Sequence, residues 1–320
     1  MFEKERIRQD RCMALRYDRR SFCQSLGVVA AAAAVPSVLG ASAAPGMLER
    51  PIPATGELLP VIGLGTSGTF DVGTDPTERA PLAGVLGILL DSGGKVLDTS
   101  PMYGRAEQVA GELIQSAQIR PRMFLATKVW TNGVAAGLAQ IENSMRLLRS
   151  DTLDLVQVHN LVDLETQLAT LRKLKEQGRV RYIGVTHYTI ASHDELERVL
   201  QREPLDFVQL NYSIATRNAE NRLLPLAAER RVAVLVNRPF EDGTLFSRVR
   251  GQALPPWAAE IDCDSWAQFF LKFVLGHPSV TCVVPATTNP RHMRDNTAAG
   301  TGRMPDAAQR SQMARFFEAN

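Results

Sequence analysis

Leu153-Asp154-Leu155-Val156-Gln157-Val158 is a short, largely apolar run that stops on His159-Asn160. Seven further runs of this kind lie along the chain: Val61 to Gly63, Lys95 to Leu97, Met123 to Ala126, Tyr182 to Val185, Phe207 to Leu210, Val232 to Val236 and Thr281 to Val284. Runs that are apolar rather than alternating belong in a parallel sheet covered on both faces. Between them the period turns helical. Leu138, Ile141, Met145 and Leu148 form one stripe, and Leu164, Leu168, Leu171 and Leu174 form another that Gly178 would end. Trp266, Phe269, Phe270, Phe273 and Val274 form a third. Eight strand–helix units in about 250 residues predict a closed (β/α)8 TIM barrel of the α/β class. The rival is a doubly wound open sheet, and no Gly-x-Gly-x-x-Gly turn follows the first run to support it. Arg50 to Pro53 and Glu57 to Pro60, joined by Ala54-Thr55-Gly56, read as a short hairpin ahead of the barrel that would plug its floor.

A barrel places its active site at the carboxyl ends of the strands. The polar residues ending the runs then share one mouth: Asp98, Lys128, His159, Thr186 and His187, Gln209 and Asn211, Asn237 and Arg238, Thr287 and Thr288. Tyr103 follows in the loop Asp98-Thr-Ser-Pro-Met-Tyr103-Gly. Taken singly, Asp98 reads as a helix cap, Tyr103 as a half-buried aromatic, Lys128 as a solvated strand end and His159 as a structural histidine. Taken together they suit protonation of a carbonyl oxygen while a cofactor delivers hydride. A free phenol titrates near 10, too high for efficient proton transfer at neutral pH. A neighbouring ammonium lowers that value, so Lys128 is expected to depress Tyr103, with Asp98 holding Lys128 in place. His159 would donate a hydrogen bond to the carbonyl. No His-x-His or Cys-x-x-Cys spacing occurs, so no metal is expected.

Asp-Thr-Ser-Pro-Met-Tyr-Gly-Arg-Ala-Glu at 98–107, Ala-Thr-Lys at 126–128, Asp-Leu-Val-Gln-Val-His at 154–159 and Leu-Pro-Val-Ile-Gly-Leu-Gly-Thr at 59–66 together resemble the aldo-keto reductase superfamily. The resemblance implies carbonyl reduction with a nicotinamide cofactor, NADPH with NADH as the alternative, bound without a Rossmann domain. It implies Tyr103, Asp98, Lys128 and His159 as the catalytic tetrad. Thr66 and Gln209 match cofactor positions. Thr186-His187 stands where the family has Ser-Asn. Asn237 stands where many members place an aromatic, and Arg238 follows it. Gly243 falls in a loop covering the pyrophosphate. After the last run, Ala286, Thr287, His292 and Asp295-Asn296 stand where the NADPH pattern has Lys, Ser, Arg and acidic-Asn. Two cationic contacts are thus missing or weakened, and Arg291 or Arg294 would replace one. A helix starting near Pro290 would aim its amides at a phosphate.

The amino terminus reads differently. Arg19-Arg20-Ser21-Phe22, an apolar stretch from Leu26 to Leu39 and Ala41-Ser42-Ala43 resemble a twin-arginine export signal. An uncleaved anchor is the alternative, but the stretch is shorter than the roughly 20 residues of a span and holds Pro36. Residues 1–43 are read as this signal, with Met13 an alternative start, and 44–320 as the barrel. The signal implies the twin-arginine machinery as a partner and a periplasmic location, with a cytoplasmic pool as the alternative. Removing it leaves 29 basic and 30 acidic residues, a net of −1, so the basic isoelectric point argues nothing for nucleic acid. It also leaves two cysteines, Cys263 and Cys282, expected as buried thiols. Competing functions are a slow-turnover nicotinamide-binding sensor on the same fold and a barrel hydrolase or lyase using Asp98 and Lys128. The segment Glu241 to Ile261 is expected as a long loop, with Trp257 and Trp130 each lining a pocket wall.

Overall fold

The structure is a computed structural model that describes residues 46–319; the expected export signal lies outside them. Strands β1 (Glu49–Pro51) and β2 (Leu58–Pro60) pair antiparallel as the expected hairpin. The remaining strands are β3 (Leu64–Gly65), β4 (Val96–Asp98), β5 (Phe124–Val129), β6 (Leu153–His159), β7 (Val180–Thr186), β8 (Phe207–Asn211), β9 (Ala233–Asn237) and β10 (Cys282–Val283). They pair in chain order and in parallel. Bridges from Ile62 to Val283 and from Gly65 to Ala286 join the two edges. The result is the (β/α)8 barrel, with its first strand a few residues later than the apolar run at 61–63 indicates.

The helices are α1 (Pro76–Asp91), α2 (Ala106–Ser116), α3 (Val134–Leu148), α4 (Leu164–Glu176), α5 (His193–Arg202), α6 (Leu223–Glu229), α7 (Thr244–Arg248), α8 (Trp266–Leu275), α9 (Pro290–Ala298) and α10 (Ala307–Glu318). Their starts follow from capping chemistry. Asp75 accepts from the Thr77 amide at 2.8 Å with Pro76 at the first helical position, and Ser265 accepts from the Gln268 amide at 3.1 Å. Gly178 follows α4 with φ +73°, a left-handed turn that side chains with a Cβ resist. No helix among the described residues is long and apolar enough to cross a membrane.

Two cores result. The larger lies between sheet and helices, and α8 is buried on nearly all sides. The smaller fills the barrel: Val96, Phe124, Leu155, Tyr182, Phe207, Leu235 and Cys282, joined from below by Ile52 and Leu59 of the hairpin. Phe124, Tyr182 and Phe207 pack ring against ring at 5.5–6.1 Å, and Thr55 of the hairpin turn meets the Tyr182 hydroxyl at 2.8 Å. The hairpin is therefore the expected floor plug. Gly184 makes room for this layer, since a Cβ there would lie 2.5 Å from the Phe207 carbonyl oxygen. Cys263 and Cys282 are buried free thiols, as expected.

The Glu241–Ile261 segment is not one loop. It contains α7 and a 3-10 turn at Pro256–Ile261. Trp257 packs against Phe269 and Phe316 at 5.7 and 5.9 Å, on the outside of the barrel. Apolar residues in this stretch were available to the core, and core burial won over a place at the mouth.

Ile52 is fully buried in the floor. Ile52→Ala is expected to cost about 2–5 kcal/mol, read as a lower urea midpoint with an unchanged slope.

Candidate active site

The strands deliver their end residues to one cavity of about 400 Å³ at the carboxyl face of the barrel. Its lining includes Thr66, Asp98, Tyr103, His159, Thr186, Gln209, Asn237 and Arg238, as the sequence predicts. A larger cleft, about 700 Å³, lies beside Pro53 and Asp206 at the amino ends of the strands and holds none of them. The chemistry-bearing residues, rather than size, mark the mouth as the site.

Lys128 sits at the centre, 1% exposed. Its Nζ donates to both Asp98 carboxylate oxygens at 2.9 Å and to the Thr99 carbonyl at 2.7 Å. Burial, the largest influence, lowers its pKa, but Asp98 and Tyr103 together more than offset this, and the net direction is upward. Nζ lies 5.1 Å from the centre of the Tyr103 ring. Lys128 does pull the Tyr103 pKa down, as expected, but the net shift is upward. Burial of the phenol raises it, Lys128 pulls down less strongly, and Asp98 pushes up again. Tyr103 thus holds its proton through the neutral range and gives it up less readily than a free phenol.

His159 stands edge-on to Tyr103 with ring centres 6.1 Å apart. Its Nδ1 meets Ser100 Oγ at 3.2 Å. Ser100 was not singled out from sequence, and only its place in the Asp98–Tyr103 loop could have marked it. Burial and then the nearby Lys128 charge lower the His159 pKa to about 3. Thr66 is occupied, since its amide and hydroxyl both donate to the Asp98 carbonyl, at 3.0 and 3.1 Å.

Opposite the tetrad, Thr186 Oγ1 donates to Gln209 Oε1 at 2.8 Å. That leaves Gln209 Nε2, Asn160 Oδ1 and Asn237 Oδ1 buried without partners. Asn160 was missed as a lining residue; its left-handed backbone, φ +52°, is one asparagine tolerates well. His187 points elsewhere. Its Nε2 meets Ser192 Oγ at 3.0 Å, its Nδ1 accepts from the Tyr188 amide at 3.0 Å, and Tyr188 takes its place at the cavity. Trp130 is not in the lining either, and is half exposed to solvent.

Arg238 at the rim pairs with Asp242 at 2.6 Å, and Gly243 follows with φ +90°. Beyond Ala286 a second cavity of about 360 Å³ opens, lined by Phe240, Phe246, Trp266, Thr287, His292, Asp295 and Asn296. It lies at the amino end of α9, the helix expected from Pro290. Asp295 is held by Ser265 at 2.8 Å and Gln268 at 2.7 Å. Arg291 and Arg294 are both exposed on α9.

Residues 61–311 match the Aldo/keto reductase family. The chain belongs to this family. Among its relatives, a methylglyoxal reductase of Escherichia coli, YeaE, is 29% identical, with 79% of this chain and 89% of that protein covered. An NADH-specific methylglyoxal reductase of the same organism is 24% identical over 82% of this chain and 96% of its own. The crystal structure of an aldo/keto reductase from Klebsiella pneumoniae in complex with NADP and acetate is 27% identical. It superposes with a TM-score of 0.68 over 82% of this chain and 93% of that one.

A nicotinamide carboxamide presents one acceptor and two donors, the complement in kind of these three unpartnered atoms. Gln209 Nε2 matches the acceptor, and Asn160 and Asn237 Oδ1 match the donors.

His159 protonates only near pH 3 when folded but near 6.5 when unfolded. Its contribution to stability is therefore whole above pH 6.5 and declines as pH falls toward 3. NMR signals of its ring should stay flat from pH 8 to 5, and a shift through that range would show that the imidazole is not shielded.

Proposed function

We propose that this protein reduces a small aldehyde or ketone to the alcohol, with NADPH as hydride donor and NADH as the alternative. The observation that carries the reading is the buried Lys128–Asp98 pair, set beside a protonated Tyr103 and a neutral His159 on one cavity. NADPH, when bound, supplies the hydride. Thr186, Gln209, Asn160 and Asn237 would hold its nicotinamide, and Thr287, His292 and Asn296 would line its adenosine end.

The chain's own residues do the rest. Ser100 Oγ accepts from the Met102 amide at 3.4 Å and is free to donate to His159 Nδ1. With Ser100 donating, the imidazole proton would sit on Nε2, from which it would donate to the substrate carbonyl and orient it. Tyr103 passes its phenolic proton to the same oxygen as charge builds there. Lys128 stabilises the phenolate left behind, and Asp98 keeps the ammonium from turning away. The relatives named for methylglyoxal make a small 2-oxoaldehyde the first substrate to try.

The reading extends to location. Arg19-Arg20, the apolar stretch to Leu39 and Ala41-Ser42-Ala43 support export of the folded chain, carrying its cofactor, through the twin-arginine route. The mature protein would then work in the periplasm, with the cofactor re-reduced in place.

Purified protein with NADPH and methylglyoxal should oxidise the cofactor, and Tyr103→Phe should lower kcat by about 100- to 10,000-fold. Equal rates in the variant would sink the assignment. Fractionating cells that express the full chain should place it outside the inner membrane, and Arg19→Lys with Arg20→Lys should retain it in the cytoplasm. A wild-type protein found only in the cytoplasm would refute the export reading.

A further inference from the structure

Glu107 is 1% exposed, lies in the first turn of α2 and belongs to no cavity described above. A carboxylate buried this deeply is unfavourable unless hydrogen bonds satisfy it. Here they do. Thr127 Oγ1 donates to Oε1 at 2.6 Å, and Ser144 Oγ donates to Oε2 at 3.1 Å. Thr127 is on β5, next to Lys128. Ser144 is on α3. Glu107 itself lies four residues beyond Tyr103.

The loop carrying Tyr103 needs such an anchor. It leaves β4 at Asp98 and enters α2 at Ala106, whose amide donates to the Tyr103 carbonyl at 3.1 Å. One anchor is Ser100, held by His159. Another is Arg105, whose amide and side chain meet the exposed Asp71 at 3.0 and 3.3 Å. Water competes for that exposed contact, so it fixes little. Among the described residues, Glu107 alone ties the far end of the loop to β5 through buried side-chain hydrogen bonds. Burial raises its pKa, while Thr127, Ser144 and Lys128 oppose this.

We propose that Glu107 is a positioning residue for proton transfer: through Thr127 it fixes the Tyr103 loop against the strand that carries Lys128. It touches neither substrate nor cofactor. Its effect is the placement of the phenol relative to the ammonium, where a displacement of about 1 Å can cost on the order of 100-fold in rate. The inference rests on Tyr103 being the proton donor.

The test compares Glu107→Ala, Glu107→Gln and Thr127→Val with wild type and Tyr103→Phe. Measured for each are kcat, KM and the NADPH dissociation constant by quenching of tryptophan fluorescence. Glutamine fills the same space, and the two hydroxyls can turn to suit its amide. Glu107→Ala and Thr127→Val are expected to lose about 10- to 100-fold in kcat, with KM and NADPH binding within about 3-fold of wild type. Glu107→Gln is expected to restore most of the rate. Unchanged kcat in Thr127→Val and in folded Glu107→Ala would overturn the inference. So would losses shared equally by kcat, KM and cofactor binding, or a Glu107→Gln variant no better than Glu107→Ala. If Glu107→Ala does not fold, Thr127→Val and Glu107→Gln decide alone. A fully active Tyr103→Phe would instead overturn the reading on which the inference stands.

Discussion

A lysine and an aspartate, bonded at 2.9 Å and shut away from water, are the constraint around which this molecule is arranged. Removing one partner of such a buried pair typically costs about 3–5 kcal/mol, because the other charge is left without compensation. The pair links adjacent strands, β4 and β5, and so aligns two strand ends by charge as well as by backbone bonding. Thr99 gives the ammonium a third acceptor, and Thr66 reaches back from β3 to the Asp98 carbonyl. Three consecutive strands are thereby bound to one charge centre. Tyr103 and His159 take their states mainly from burial and secondarily from these charges. The phenol keeps its proton in a buried setting near both charges, and the imidazole stays neutral partly because the ammonium beside it resists a second positive charge.

The barrel was legible because its signal repeats. Eight apolar runs with helical stripes between them do not depend on any single residue, and small errors in boundary, as at the first strand, leave the topology intact. The tetrad was legible for a related reason: strand ends in a barrel share one face, so sequence position converts directly to spatial position. The pattern failed where side chains choose between partners. His187 sits at a strand end, yet Ser192 and the Tyr188 amide satisfy its ring locally and turn it from the mouth. Trp257 follows two prolines and reads as a loop aromatic, yet Phe269 and Phe316 offer it a place in the packing. The sign of the Tyr103 shift was misjudged because pairing with a cation is visible in sequence and the depth of burial is not. Asn160, Ser100 and Glu107 carry no periodicity; they lie in or beside the quoted motifs, but their roles emerge only from contacts.

The cofactor side of the mouth shows a division of labour. Thr186 takes up the oxygen of Gln209 and so presents the amide nitrogen outward, fixing an orientation that a lone glutamine would leave free. At the far end, Ser265 and Gln268 hold the Asp295 carboxylate within the protein, so it presents less bare negative charge to an approaching phosphate. The same serine caps α8, the most deeply buried helix, and so ties the second cavity to the core.

The hairpin floor has a kinetic consequence. With Ile52 and Leu59 wedged beneath the ring layer of Phe124, Tyr182 and Phe207, the barrel has no back door. Everything that enters the mouth must leave by the same opening, and whatever lies outermost blocks what lies beneath. The Thr186–Gln209 pair and the tetrad share that single vestibule. With the floor filled in this way, whatever reaches the tetrad comes and goes by the carboxyl-face mouth.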